Sequence, residues 1–319
     1  MKLKKGVAVL GYKPELLATC GTLDELKALA EAGCDAFLLG EETYGMRLPG
    51  EFTPQMIAEA VNFAHPRGIK IYVCVNNLMD NDKLPGLPGY LEEMGQIGVD
   101  GIEFGDPSVL MQARKLLPGL PLHWNAEMTS TNHGTANYWG RRGATRIVLA
   151  RELNMEETTG MMPSLEVEAQ VQVHGMTNIY HSKRSLVNSY MANQGRPVED
   201  GNVGLSRGLY LIEAERRDER FPIYEDSNGT HIMSSGDICI LEDLHLLMEA
   251  GVQSFKIEGI LKSQAYNVAA ARAYRKAIDS FVNDRENYAF DESWLDEVRG
   301  LQDPDRELSF GFFYKEQVY

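Results

Sequence analysis

The chain has 319 residues, 44% of them hydrophobic and 24% charged, with a formal net charge of -15 and a pI near 5.0. That size and apolar content support one large core, whereas the acidic balance excludes a broad basic footprint for nucleic acid and leaves only local RNA contacts or contacts made through a partner. No run of about 18 apolar residues occurs, and the start Met1-Lys2-Leu3-Lys4-Lys5-Gly6 leads into a stretch too brief for a signal sequence, so a soluble, cytoplasmic protein with no membrane association is expected.

From residue 15 to about 284, short β-rich runs alternate with longer amphipathic segments, the pattern of parallel βαβ units. Eight strands are predicted at 16–20, 35–40, 70–76, 101–105, 122–127, 146–151, 168–174 and 254–258, a number that suits a closed (β/α)8 barrel of the TIM type. Between them, Thr22 followed by Glu25 predicts a capped helix start, with Gly33 as its left-handed stop. Thr53-Pro54 and Asp106-Pro107 repeat the device, a capping side chain before a proline whose missing N–H costs nothing at the first helical position. The long interval 176–253 breaks the rhythm and reads as an insertion between strands seven and eight. Within it, 208–215 and 220–225 are expected to be antiparallel strands, Asn228-Gly229 a turn and 240–249 a helix. The barrel with its insertion accounts for 1–284, and the acidic tail 285–319, closing on Phe310-Gly311-Phe312-Phe313-Tyr314, is expected to strap onto it.

In such barrels the strand C-termini and the loops after them face the active side. Glu41, Glu42 and Arg47, Asn76 and Asn77, Asp106, Glu127, Arg151 and Glu152, His174, Lys256 and Glu258 all fall there. Groups of these types in one mouth can hold a small carboxylated ligand and move protons. His174, Glu127 and Glu152 are the candidates for catalytic proton handling. Arg151, Lys256, Glu258, Asn76 and Arg47 are the candidates for ligand binding. The competing reading is a rim of caps and mutual ion pairs, and for Asp106 the N-cap role already suffices. Cys20, Cys34, Cys74 and Cys239 form no CxxC pair and read as reduced, buried thiols. His174, His181, His231 and Cys239 match no zinc-ligand spacing, so no metal is expected. Protease, P-loop and dinucleotide motifs are absent. Lys183-Arg184 is a short basic patch suited to RNA or partner contact, as are Arg141-Arg142 and Arg216-Arg217.

Pro14-Glu15-Leu16-Leu17-Ala18, Gly33-Cys34-Asp35-Ala36-Phe37-Leu38-Leu39-Gly40, Tyr72-Val73-Cys74-Val75-Asn76, Val148-Leu149-Ala150-Arg151-Glu152, Val173-His174-Gly175 and Phe255-Lys256-Ile257-Glu258-Gly259 together resemble the peptidase U-32, or collagenase-like protease, family over about 300 residues. Better understood members of that family hold a four-iron, four-sulfur cluster on four cysteines and hydroxylate RNA or ubiquinone. Here Asn178 and Ser185 stand at the first two cysteine positions, the third falls near Gly195-Arg196-Pro197 without a cysteine, and Cys239 alone remains. One thiolate cannot anchor a cluster that needs four soft donors.

Glu41-Glu42-Thr43-Tyr44-Gly45-Met46-Arg47-Leu48 and Ser182-Lys183-Arg184-Ser185-Leu186-Val187 are most similar to the short, cysteine-poor type that Gram-positive bacteria pair with a longer, cluster-bearing U-32 paralogue. That resemblance implies a cluster-free subunit with a degenerate iron–sulfur site, reaching tRNA through the complex and serving prephenate-dependent 5-hydroxylation of the wobble uridine. The alternatives are a self-sufficient barrel enzyme, either a peptidase or a lyase on a small carboxylic acid, and a scaffold without catalysis.

Overall fold

The computed structural model describes residues 12–127, 130–198 and 202–315. The Met1 to Gly6 start and the end of the C-terminal tail lie outside the described residues. Strands β1 (Glu15–Thr19), β2 (Ala36–Leu39), β3 (Lys70–Val75), β4 (Gly101–Phe104), β5 (Leu122–Trp124), β6 (Arg146–Val148) and β7 (Glu168–Gly175) alternate with helices α1 (Leu23–Glu31), α2 (Pro54–Ala64), α3 (Leu87–Ile97), α4 (Pro107–Leu116), α5 (His133–Gly140) and α6 (Met155–Met161). There follow β8 (Asn178–Ser182), α7 (Leu186–Asn193), β9 (Tyr210–Leu211), β10 (Phe221–Asp226), β11 (Gly229–Met233), β12 (Asp237–Cys239), α8 (Leu244–Ala250), β13 (Ser254–Ile257), α9 (Gln264–Asn283), α10 (Asp296–Leu301) and β14 (Leu308–Ser309).

Strands β1 to β7 pair in parallel in sequence order, and β13 pairs in parallel with both β7 and β1, so the sheet closes as an eight-stranded (β/α)8 barrel. Alternation explains its two faces. Outward residues such as Phe37, Val73, Ile102, Val171 and Phe255 are buried beneath the helices in the main core. Each contributes roughly 1.5–3 kcal/mol through apolar burial. Inside the barrel, Leu17, Ala36, Leu38, Tyr72 and Cys74 form a separate small apolar cluster. The interior is thus filled in the middle, leaving polar side chains to cluster at the two ends.

The helix starts obey the expected local chemistry. Thr22 Oγ1 accepts from Glu25 N, Thr53 Oγ1 from Met56 N and Asp106 Oδ1 from Ser108 N. Gly33 closes the first helix at φ 102°, left-handed backbone that favours glycine.

The insertion differs from its expected shape. The strand expected at 208–215 shrinks to Tyr210–Leu211, and the helix expected at 240–249 begins only at Leu244, because Asp237–Cys239 is drawn out as a strand against the end of β7. Strands β8 and β11 and helix α7, none of them expected, complete a four-stranded antiparallel sheet in the order β8-β11-β10-β9 and its covering turn. The Asn228-Gly229 turn does join β10 to β11. After α10, Leu308–Ser309 pairs in parallel with β12, and Phe313 is buried against the core. Among the described residues no helix is long and apolar enough to cross a membrane.

Candidate functional site

The C-terminal ends of the barrel strands enclose a polar cavity of about 70 Å³. Thr19 from β1, Cys74 from β3, Glu103 from β4, Gln172 from β7 and Lys256 from β13 line it, together with Asn76 and Glu258 just past β3 and β13 and Arg47, Asn125, Glu127 and Arg151 from the loops. Strands β5 and β6 end at Trp124 and Val148, sooner than expected, so Glu127 and Arg151 ride on loops rather than strands. Three cations and three carboxylates therefore share one small space.

The ion pairs form two groups. Lys256 Nζ lies 3.0 Å from Glu258 Oε2, while Glu258 Oε1 accepts from Thr19 Oγ1 at 2.6 Å and from Ile260 N at 3.2 Å. Desolvation acts most strongly on Lys256 and pulls its pKa down, but Glu258 and Glu103 together more than offset it and hold the ammonium above its ordinary value. On the opposite wall the Glu127 carboxylate bridges two guanidiniums, meeting Arg47 through Oε1 and Arg151 through Oε2 at 3.7 Å. Arg151 also lies 3.7 Å from Glu152. Burial lowers the pKa of both arginines and outweighs their acidic neighbours. Since a guanidinium does not deprotonate in practice, the shift marks cations whose lost hydration is incompletely replaced.

Arg47 and Glu127 both adopt left-handed backbone, at φ 56° and 57°. For non-glycine residues this is strained, and such strain collects at ligand sites. The insertion holds the strained Arg47 loop in place. Asn228, at the tip of the β10–β11 hairpin, donates through Nδ2 to Glu42 O at 3.0 Å and accepts at Oδ1 from Asn77 Nδ2 at 2.5 Å. Asn76 Oδ1 accepts from Met46 N at 2.8 Å, which anchors the same loop from below. Gly229 is required beside it, since a Cβ there would lie 2.0 Å from Ser182 O.

His174 needs correcting. It does not reach the cavity: Gln172 pairs with Lys256 but His174 pairs with Ile257, so β7 carries one extra residue there. That bulge breaks the alternation and turns His174 outward. Its Nε2 sits 2.9 Å from the Tyr266 hydroxyl, and the ring packs edge-on against Tyr274, both on α9. Burial lowers its pKa to about 4, so it is a neutral, structural imidazole. Glu152 likewise stands behind Arg151 and is not among the cavity-lining residues. Arg47, Asn76, Glu127, Arg151, Lys256 and Glu258 do converge on the cavity.

Sequence reasoning missed Glu103 and Gln172. Glu103 is fully buried and takes hydrogen bonds from Asn125 Nδ2 at 2.9 Å and Gln170 Nε2 at 3.5 Å. The available signal was a polar residue at every second position of an otherwise apolar strand, Ile102-Glu103-Phe104 and Gln170-Val171-Gln172-Val173. Lys183 and Arg184 lie exposed on the insertion, Lys183 pairing with Asp80 at 3.2 Å.

The donor set does not fit an iron–sulfur cluster. Asn178 Nδ2 is committed to the carbonyls of Tyr180 and Ile232, at 2.9 and 3.2 Å. Cys239 is buried 3.9 Å from the Tyr274 hydroxyl, and desolvation raises its thiol pKa, opposite to what a thiolate ligand needs.

Comparison with known proteins agrees with this architecture. Along 308 residues the chain is 46% identical to tRNA hydroxylation protein P2 of Bacillus subtilis (strain 168), covering 96% of this chain and 99% of that protein. It is 32% identical to tRNA hydroxylation protein P1 of the same organism, across 98% of this chain and 75% of that one, and 31% identical to tRNA hydroxylation protein P of Escherichia coli (strain K12), across 91% and 72%. A solved U32 peptidase, Mk0906, superposes with a TM-score of 0.50 at 18% identity, over 81% of this chain and 96% of that one, which supports the barrel fold. Peptidase family U32 matches residues 21–318, nearly the whole chain, and this protein is a member of that family.

Proposed function

We propose that this chain acts in tRNA hydroxylation, as the cluster-free subunit beside a longer U32 paralogue that carries a four-iron, four-sulfur cluster, in prephenate-dependent 5-hydroxylation of the wobble uridine. The observation that carries this reading is the 46% identity to tRNA hydroxylation protein P2 from end to end, in an organism that also has a longer P1 relative. The chemistry of the cavity is compatible with it. Arg151, Arg47 and Lys256 offer three largely shielded cations to a carboxylated ligand, and Asn76 and Gln172 offer neutral polar contacts. His174 takes no part, so proton handling falls to the cavity carboxylate Glu258. The exposed Lys183 and Arg184 are assigned to RNA or to the partner, which supplies the wider basic surface that a chain of charge -15 lacks.

The test is complementation of a deletion strain with wild type or Arg151→Ala, read by mass spectrometry of tRNA nucleosides. Loss of 5-hydroxyuridine with normal amounts of folded protein is expected; unchanged modification would remove Arg151, and with it the cavity, from the reaction. Purified chain is expected to leave collagen peptides intact, and hydrolysis insensitive to added protease inhibitors would instead favour the peptidase reading of the family name.

A further inference from the structure

We propose that Glu127 is an internal stand-in for a ligand carboxylate, occupying an anion subsite made by Arg47 and Arg151 and leaving it when a small carboxylated molecule enters. This rests on the reading above that the cavity takes such a ligand, and adds which residues form the subsite and how it is kept closed.

The three cavity carboxylates are not equivalent. Glu258 is fixed by Thr19, the Ile260 N–H and Lys256, and its side chain is 11% exposed. Glu103 is fully buried and held by Asn125 and Gln170. Glu127 is held by the two guanidiniums, one of them at 3.7 Å, and its side chain is 27% exposed. It is therefore the most exposed of the three carboxylates, with the easiest route to solvent.

Charge and space point the same way. With Glu127 in place the lining is balanced, three cations against three carboxylates, and an anion gains nothing from entering. With Glu127 turned outward, Arg47, Arg151 and Lys256 face Glu103 and Glu258, an excess of one positive charge that one ligand carboxylate neutralises. With Glu127 in its wall the cavity is small, about 70 Å³; withdrawing that side chain enlarges it where the two arginines point. Left-handed backbone at both Arg47 and Glu127 shows that the closed pair is held in a conformation ordinary side chains avoid. Among the described residues, the insertion's hydrogen bonds brace one half of this latch. Asn228 clamps the Arg47 loop, whereas the described hydrogen bond of the Glu127 backbone is a local one, from its N–H to Asn125 Oδ1 at 3.0 Å. Arg47 stays while Glu127 moves.

A self-carboxylate competing for the subsite lowers apparent affinity by the fraction of time the site is closed. The experiment is calorimetric titration of the full-length wild type, Glu127→Gln and Arg151→Ala with prephenate, malonate and acetate, beside thermal melts that confirm folding. Glu127→Gln keeps the shape and removes the charge, and is expected to bind prephenate and malonate about tenfold more tightly than wild type; Arg151→Ala is expected to bind neither. Equal or weaker binding by Glu127→Gln overturns the stand-in role. Should Glu127→Gln fold poorly, Glu127→Asp, whose shorter side chain reaches both guanidiniums less well, is expected to tighten binding in the same direction, and weaker binding by it counts against the proposal. Failure of every chain to bind a carboxylate overturns it as well, while loss of 5-hydroxyuridine in the deletion strain is scored independently and tests only the assignment to tRNA hydroxylation.

Discussion

Each end of the barrel buries arginine among glutamates, and the two ends treat it in opposite ways. At the N-terminal end Arg146 Nη1 lies 2.5 Å from Glu15 Oε1 and Nη2 2.8 Å from Glu168 Oε2, while Tyr72 and Ser254 donate to Glu15 at 2.7 and 3.0 Å. Desolvation opposes its charge, yet Glu15, Tyr72 and Glu168 outweigh it, and the guanidinium pKa is raised. At the mouth Arg151 sits 3.7 Å from both Glu127 and Glu152, and its pKa is lowered. Buried charge is tolerated where every lone pair and proton is matched. The matched end holds the barrel shut, and the mismatched end keeps cations available, as expected when the strand N-termini serve stability and the C-termini serve function.

The largest expected effect comes from breaking the matched end. Arg146→Ala should lose about 3–5 kcal/mol of stability, because the little-exposed Glu15 loses its guanidinium and keeps only the Lys70 ammonium, 3.8 Å away, as counter-charge; chemical denaturation measures this, and hydroxylation per folded molecule should stay near wild type. Acid sharpens the contrast next. His123, at the matched end, and His174, outside the barrel, are both held neutral chiefly by burial. Their unfolded forms take up protons below about pH 6.5, so stability is fully present above that pH and is lost as pH falls toward 4. For His174 this amounts to at most about 3 kcal/mol, and melts of His174→Gln between pH 7 and 4 should show a shallower decline than wild type.

At the mouth, Arg151→Ala should lower the hydroxylation rate about a hundredfold, equivalent to ~2.7 kcal/mol of barrier, while costing less stability than Arg146→Ala, because both of its carboxylate contacts are 3.7 Å long. Comparable losses of stability from Arg146→Ala and Arg151→Ala would erase the distinction between the two ends. The smallest effect is expected at the exposed insertion, where Lys183→Ala with Arg184→Ala should weaken tRNA binding by the complex several-fold and flatten its salt dependence by about two phosphate contacts.

Much of the framework was legible beforehand. The eight barrel strands, the caps at Thr22, Thr53 and Asp106 and the Asn228-Gly229 turn depend on neighbours within a few residues, which the chain order displays directly. Arg47, Asn76, Glu127, Arg151, Lys256 and Glu258 were found because a barrel brings its strand ends together whatever their separation in sequence. Glu103 and Gln172 lie within their strands, where only the inward alternation, and not a place at the strand end, marks them. In the insertion, β8 and β11 are short, and pair across about fifty residues, a partnership no local pattern reports.

The amino-acid order by itself determined the period of the elements, the barrel count and the residue types gathered at the mouth, since these follow from alternation, capping and turn chemistry acting over a few bonds. Only the tertiary structure decided that one extra residue in β7 turns His174 away from the cavity, that Asn228 reaches across to brace the Arg47 loop, and that Glu127 lands between two arginines. Each of these depends on register and long-range contact, where a shift of one residue reverses the face a side chain presents.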